Sequence, residues 1–214
     1  MRRTFRNING WYDLPATARA EIILVLADVK PAAITGGLAK LHTTFMDTFK
    51  KLGVYWWREP EAKTTVVYHI SKKRGPIQKF LRSRQDYHLR AGKYLGYPAC
   101  CTREYLKPSG VTIPQNPRQQ KEFFKMFLPR FDRELLAILK RVKVYRGPWN
   151  WHIPSTFKPC SAYCPNAIRL AKHTRLLLLK HDARTASDIL KRNRNIQRLL
   201  LKGHVRYRPY GTAA

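Results

Sequence analysis

The sequence is short of acid, of cysteine and of long apolar runs. Only 13 of its 214 residues are Asp or Glu, against 42 Lys and Arg, for a formal net charge of +29. Such an excess repels itself unless a polyanion neutralises it. The longest apolar stretches, "EIILVLADV" and Leu176–Leu179, are core-sized pieces bounded by polar residues, well short of a membrane span. The expectation is a soluble chain with no membrane partner. Also missing are a Gly-rich phosphate loop, HExxH, GxSxG and any paired carboxylates in an apolar setting, which excludes the enzyme classes built on those motifs. Internal repeats and low-complexity tracts are absent too.

What is present is positive charge, unevenly spread. Met1–Ser71 carries 10 basic and 6 acidic residues, whereas Lys72–Ala214 carries 32 and 7. Charge of this density reads first as nucleic-acid binding and second as attraction to an anionic membrane surface. The start, "MRRTFRNINGWYD", is rich in Arg and free of acid up to Asp13, as organelle presequences are, but it has no secretory apolar region. The expectation is that it is not a removed leader.

The periodicities predict an α+β chain, mainly helical. A small helix and hairpin unit occupies 1–71, a basic helical domain with the cysteines occupies 72–202, and an extended basic tail follows over 203–214. A first helix is expected over Leu14–Val29, ended by Pro31, and a second over the "GGLAKLHTTFMDTFKKLG" stretch to Gly53. "VYWW" and "TTVVYHISK" read as a two-stranded hairpin with a long loop. Further helices are expected over about 77–95, 98–106, 119–128 and 132–142. A last pair runs from Asn166 to about Lys202, restarting at Thr185-x-x-Asp188, a capping-box pattern. The proline-rich segment Lys107–Pro117 and the aromatic-rich Tyr145–Pro165 read as irregular, and long irregular segments inside compact domains are usually functional.

The four cysteines fall in two places, the vicinal pair Cys100 and Cys101 behind Pro98, and Cys160 and Cys164 between Pro159 and Pro165. A chain of 214 residues can bury a core without staples, so stability alone does not call for them. At the first turn of a helix, Cys100 and Cys101 would be favoured as thiolates. Four thiolates suit a tetrahedral zinc ion or an iron–sulfur cluster. Because a vicinal pair chelates one metal awkwardly, one of the two is a candidate for core packing, with His152 in its place. Buried reduced thiols and disulfides between the two boxes are the alternatives. A nucleophilic cysteine with His88 or His152 as base is a further one.

"LGYPACC" and "HIPSTFKPCSAYCPNA" resemble an uncharacterised prokaryotic domain family with a Gly-Tyr-Pro-x-Cys-Cys box and a downstream Pro-Cys-Ser-x-x-Cys box. "DVKPAAI" extends the resemblance to about Ile22–Ala171. It implies a shared cysteine site at Gly96, Tyr97, Pro98, Cys100, Cys101, Pro159, Cys160, Ser161 and Cys164, and implies no reaction.

Basic residues interleave with aromatics in "SKKRGP", "YRGPWNWH" and "HVRYRPY". Arg and Lys neutralise phosphates while exposed aromatics stack on splayed bases. The residues singled out on this basis are Lys72, Lys73, Arg74, Arg82, Arg84, Arg146, Trp149, Trp151, Arg169, Arg175, Arg192, Arg194, Arg206, Tyr207, Arg208 and Tyr210. Trp149 and Trp151 read equally as core residues, and the helical arginines as a solvated face. The expected function is RNA binding in a ribonucleoprotein, through rRNA and beside neighbouring ribosomal proteins. The expected place is the cytoplasmic ribosome, with an organelle as the alternative. The competing readings are an enzyme that modifies or repairs nucleic acid at a Cys-ligated zinc or iron–sulfur site, and a DNA-packaging or virion protein. The tail from Gly203 is expected to order only against RNA.

Overall fold

The structure is a computed structural model and describes residues 5–60, 64–82, 92–105, 130–151 and 159–202. Helix α1, Ala16–Leu26, is buried on every side from Ala18 to Val25. A helix buried all round belongs in the middle of a fold, and α1, whose buried Arg19 and Glu21 are both paired, lies between a small sheet and the last two helices. It stops where Asp28 takes a left-handed backbone (φ 58°), with the Val29 and Lys30 amides both donating to the Leu24 carbonyl. The Lys30 ammonium returns to the Glu21 carboxylate at 2.7 and 2.9 Å, and both residues are buried.

Strand β1, Ala32–Leu38, follows Pro31 and is absent from the sequence expectation, which ran its Gly36-Gly37-Leu38 into the second helix. Helix α2 begins only at His42 and runs His42–Leu52, with Gly53 left-handed at its end. The glycines that weaken a helix are needed here by the sheet: a Cβ on Gly36 would run into the Val66 carbonyl oxygen of the neighbouring strand. Strands β2, Tyr55–Arg58, and β3, Thr65–Ser71, form the expected hairpin, and β1 adds antiparallel on the far side of β3, in the order β1-β3-β2. Ala32 pairs with Ser71 and Leu38 with Thr65.

Side-chain alternation gives β3 two faces. Val66, Tyr68 and Ile70 join the main core with Phe45 and Phe49 of α2 and Ile22, Ile23 and Val25 of α1. On the other face of the sheet, Ala32 packs with Tyr94 and Leu95, with Ile34 and Tyr97 beside them. The segment that precedes the cysteine pair is thereby laid against the sheet.

Helix α3, Arg74–Arg82, is followed at residues 92–94 by a further helical turn. Helix α4, Ala99–Tyr105, and helix α5, Arg130–Val142, come next, then a 3-10 turn over Pro148–Trp151. The C-terminal pair is α6, Pro165–His181, and α7, Ala183–Leu201. The chain restarts at Asp182, three residues before the expected Thr185. The Asp182 carboxylate accepts from the Thr185 amide at 3.2 Å and its hydroxyl at 2.6 Å, and from the Trp11 indole at 2.7 Å. Leu178, Ala186 and Ile189 enter the same core as α1 and the sheet, so one core joins the first seventy residues to the last helices. A second core gathers Phe131, Leu135, Ile138 and Leu139 of α5 around Ala162 and Ala171. The expected helix over 119–128 lies outside the described residues, as do Lys107–Pro117 and the tail from Gly203.

Candidate metal centre

The two cysteine boxes meet. Gly96, at φ 71°, turns the chain so closely over Lys30 and Pro31 that a Cβ there would sit 3.4 Å from both. Tyr97 packs against both the sheet-side cluster and the cysteines, with the Lys30 ammonium 5.2 Å from its ring centre. The Pro98 carbonyl then accepts from the amides of Cys101 and Thr102, opening α4 and setting Cys100 and Cys101 in its first turn. From the other side, Cys164 is the residue before α6, and Pro165, which has no amide hydrogen to leave unpaired, starts that helix. The Cys164 amide donates to the Ser161 carbonyl at 3.1 Å, which folds Cys160–Cys164 into a tight loop.

Glu134 of α5 holds that loop from outside. One carboxylate oxygen accepts from the Ser161 hydroxyl and from the Ala162 amide, each at 2.6 Å, and the other takes the Arg130 guanidinium at 2.8 Å. Partial burial works against the charge, but the bonds from Ser161, Arg130 and Ala162 prevail and hold the carboxyl below its ordinary range. The Ser161 oxygen in turn accepts from the Tyr163 amide at 3.1 Å.

All four sulfurs lie within 4.8 Å of one another. Cys100 stands 3.8 Å from Cys101 and 3.7 Å from Cys164, while Cys101 stands 3.8 Å from Cys160 and 3.7 Å from Cys164. Disulfide sulfurs are about 2.05 Å apart, and these four are free. Both members of the vicinal pair turn their sulfurs inward, and neither is set aside into the core as the sequence reading allowed. His88 and His152, the substitute ligand and candidate bases, lie outside the described residues.

Cys101 and Cys164 are buried, Cys100 and Cys160 half-buried, and Ala167 closes the apolar wall. Burial pushes the Cys101 thiol far up, and burial with the neighbouring sulfurs pushes Cys160 up to about 11. For Cys100 burial is outweighed by the Asn166 side-chain amide, which donates to its sulfur at 3.6 Å, and by the adjoining thiols, so its pKa falls. The Cys160 amide donates to the Cys101 sulfur at 3.5 Å. Four thiols at contact distance repel as thiolates, and a cation at their centre removes that repulsion. The arrangement can hold a metal ion.

The basic residues are spread more widely. Lys72, Lys73 and Arg74 are exposed where β3 passes into α3, although Lys72 also pairs with Asp28 at 2.5 Å. Arg146, Arg169 and Arg175 are exposed; Arg192 and Arg194 are half-buried, and Arg192 donates to Asn193. Arg169, Lys172 and Arg175 recur at three-residue spacing on α6 and are all exposed. Arg192 and Arg194, two positions apart, point about 200° apart around α7 and form no common stripe. Arg82 ends α3, and Trp149 and Trp151 belong to the 3-10 turn, where Asn150 between them is buried and bonds to Gln197 at 2.8 Å. Arg84, Arg206, Tyr207, Arg208 and Tyr210 lie outside the described residues. Sequence reasoning missed Glu134 and Asn166, neither of which carries a local signal.

Residues 77–193 match the family described as "Protein of unknown function (DUF483)". That span is more than half of the 214 residues, and the chain belongs to this family. The span begins after Ile22, where the resemblance began, extends past Ala171, and contains all four cysteines. Comparison with curated proteins gives no match, nor does comparison with solved structures.

Proposed function

We propose that the chain is an RNA-binding protein, ribosomal or ribosome-associated, whose helical body is pinned by one structural metal ion on Cys100, Cys101, Cys160 and Cys164. The observation that carries the RNA reading is the net charge of +29, for which the chain's 13 acidic residues supply too few partners. Exposed bases on α3, α5, α6 and α7 are available to phosphates. Phosphate neutralisation supplies most of the affinity of such surfaces.

For the metal, a tetrahedral zinc site with Zn–S of about 2.3 Å has a sulfur–sulfur edge of about 3.8 Å. Four sulfur pairs here stand at 3.7–3.8 Å. An iron–sulfur cluster divides its four thiolates among two or more irons and holds those on different irons further apart. Four thiolates leave no open position for a substrate, as in structural rather than catalytic zinc sites, which weighs against the repair-enzyme reading. The Gly-Tyr-Pro-x-Cys-Cys and Pro-Cys-Ser-x-x-Cys boxes are on this view the parts of the family that build the centre.

Gradient sedimentation of cell extract tests the reading. A ribosomal protein runs with ribosomal subunits in near-stoichiometric amount and is released by salt. A chain that stays free and substoichiometric at low salt contradicts it.

A further inference from the structure

The cysteine loop carries one side chain that the metal centre does not use. Ser161 and Ala162 turn inward, but Tyr163 is 59 % exposed. Its backbone is held from several directions: its amide bonds to Ser161, the Ala162 amide to Glu134, and the Cys164 amide to the Ser161 carbonyl. Its ring makes no ring contact and its phenol no hydrogen bond among the described residues. A single exposed aromatic is ordinary on a protein surface. A large ring mounted on a rigid turn is different, because it offers a stacking face with little ordering cost left to meet on binding.

The surroundings fit one kind of partner. Arg103 on α4, Arg130 on α5 and Arg169 on α6 are all exposed, one on each of the three helices that hold the loop. Arg130 is joined to the loop itself, since it grips the Glu134 carboxylate that anchors Ser161 and Ala162. A guanidinium tied to the loop, further exposed arginines on the helices that hold it and an exposed ring at its tip match a phosphate backbone with unstacked bases. A base within a duplex offers no such face.

Resting on the RNA reading above, we propose that Tyr163 is a base-stacking residue for single-stranded RNA, presented by the metal-bound cysteine loop, with Arg130 contacting the adjacent phosphate. The test uses the zinc-loaded full chain, labelled oligouridine of about twelve nucleotides, and an RNA duplex of equal length. Tyr163→Ala is expected to weaken oligouridine binding by about 5- to 150-fold. Tyr163→Phe should bind as the parent does, and both variants should keep one metal per chain and unchanged duplex affinity. If Tyr163→Ala binds oligouridine like the parent, or loses duplex and single strand alike, the stacking role is overturned and the RNA reading stands. If the parent chain binds neither RNA, the RNA reading itself fails and takes this inference with it.

Discussion

Glu134 is the residue on which the shape of the cysteine loop turns, although it touches no sulfur. Its carboxylate accepts two loop donors and one guanidinium. Glu134→Ala leaves the Ser161 hydroxyl and Ala162 amide without their acceptor, and supporting residues of this kind typically contribute 10- to 100-fold to metal affinity. Zinc affinity measured by chelator competition should drop by about that factor, with the fold retained. Cys101→Ser, at a position 3 % exposed, should abolish tight binding outright. The direction of the pH effect follows from the thiols. Cys160 is pushed up to about 11 and Cys101 further, so the metal-free protein holds protons that the ion must displace. Zinc affinity is therefore expected to fall as pH is lowered from about 8 to about 6, with protons released on binding. Affinity that stays flat over that range contradicts thiol ligation. At this scale the sequence was most legible where residues are rare. Four cysteines in two proline-braced boxes announce a site, whereas Glu134 and Asn166 reach it only through tertiary contact and leave no local mark.

At the scale of elements, the α6–α7 junction joins the two ends of the chain through Asp182. Its carboxylate caps α7 and accepts the Trp11 indole, while Arg19 of α1 reaches Thr185 at 2.9 Å and Asp188 at 2.7 Å. Asp182→Ala removes a helix cap worth about 0.5–2 kcal/mol and strands a buried indole donor, at about 1–3 kcal/mol more. Urea unfolding should show a loss of about 1.5–5 kcal/mol. Although burial acts to raise it, the bonds from Thr185 and Trp11 and the nearby Arg19 hold Asp182 below its ordinary 3.8. A depressed carboxyl contributes stability that is complete above the unfolded-state pKa and lost as pH falls through the folded one. The stability gap between parent and Asp182→Asn should therefore hold from neutrality down to about pH 4 and narrow below it. The capping signal is visible in the sequence, but the Thr185-x-x-Asp188 pattern places the restart three residues late, since Asp182 and Thr185 are both plausible caps. Strand β1 was hidden for a different reason. Its glycines look like helix breakers or loop residues until Val66 is seen packed against Gly36. The amphipathic helices and the β2–β3 hairpin were legible because their periodicity does not depend on what they pack against.

At the scale of the whole molecule, the proposed reading gives metal and charge separate tasks. A metal ion on the four cysteines would join segments about sixty residues apart, and cross-links over long loops constrain the unfolded chain most. On the same reading the positive charge serves RNA binding. If six to ten phosphates are contacted, RNA affinity should fall about 10³- to 10⁵-fold between roughly 50 and 200 mM salt. Binding that ignores salt points to a protein partner instead. Charge partition between the two parts of the chain is plain from sequence, but which bases share a face is not, since that depends on helix orientation. The central proposal is one ion held by four sulfurs. X-ray absorption of the purified, zinc-loaded full chain, with metal content measured on the same sample, tests this directly. One zinc per chain with four sulfur neighbours at about 2.3 Å is the expected result. Iron with acid-labile sulfide, or zinc surrounded by nitrogen and oxygen, would contradict it.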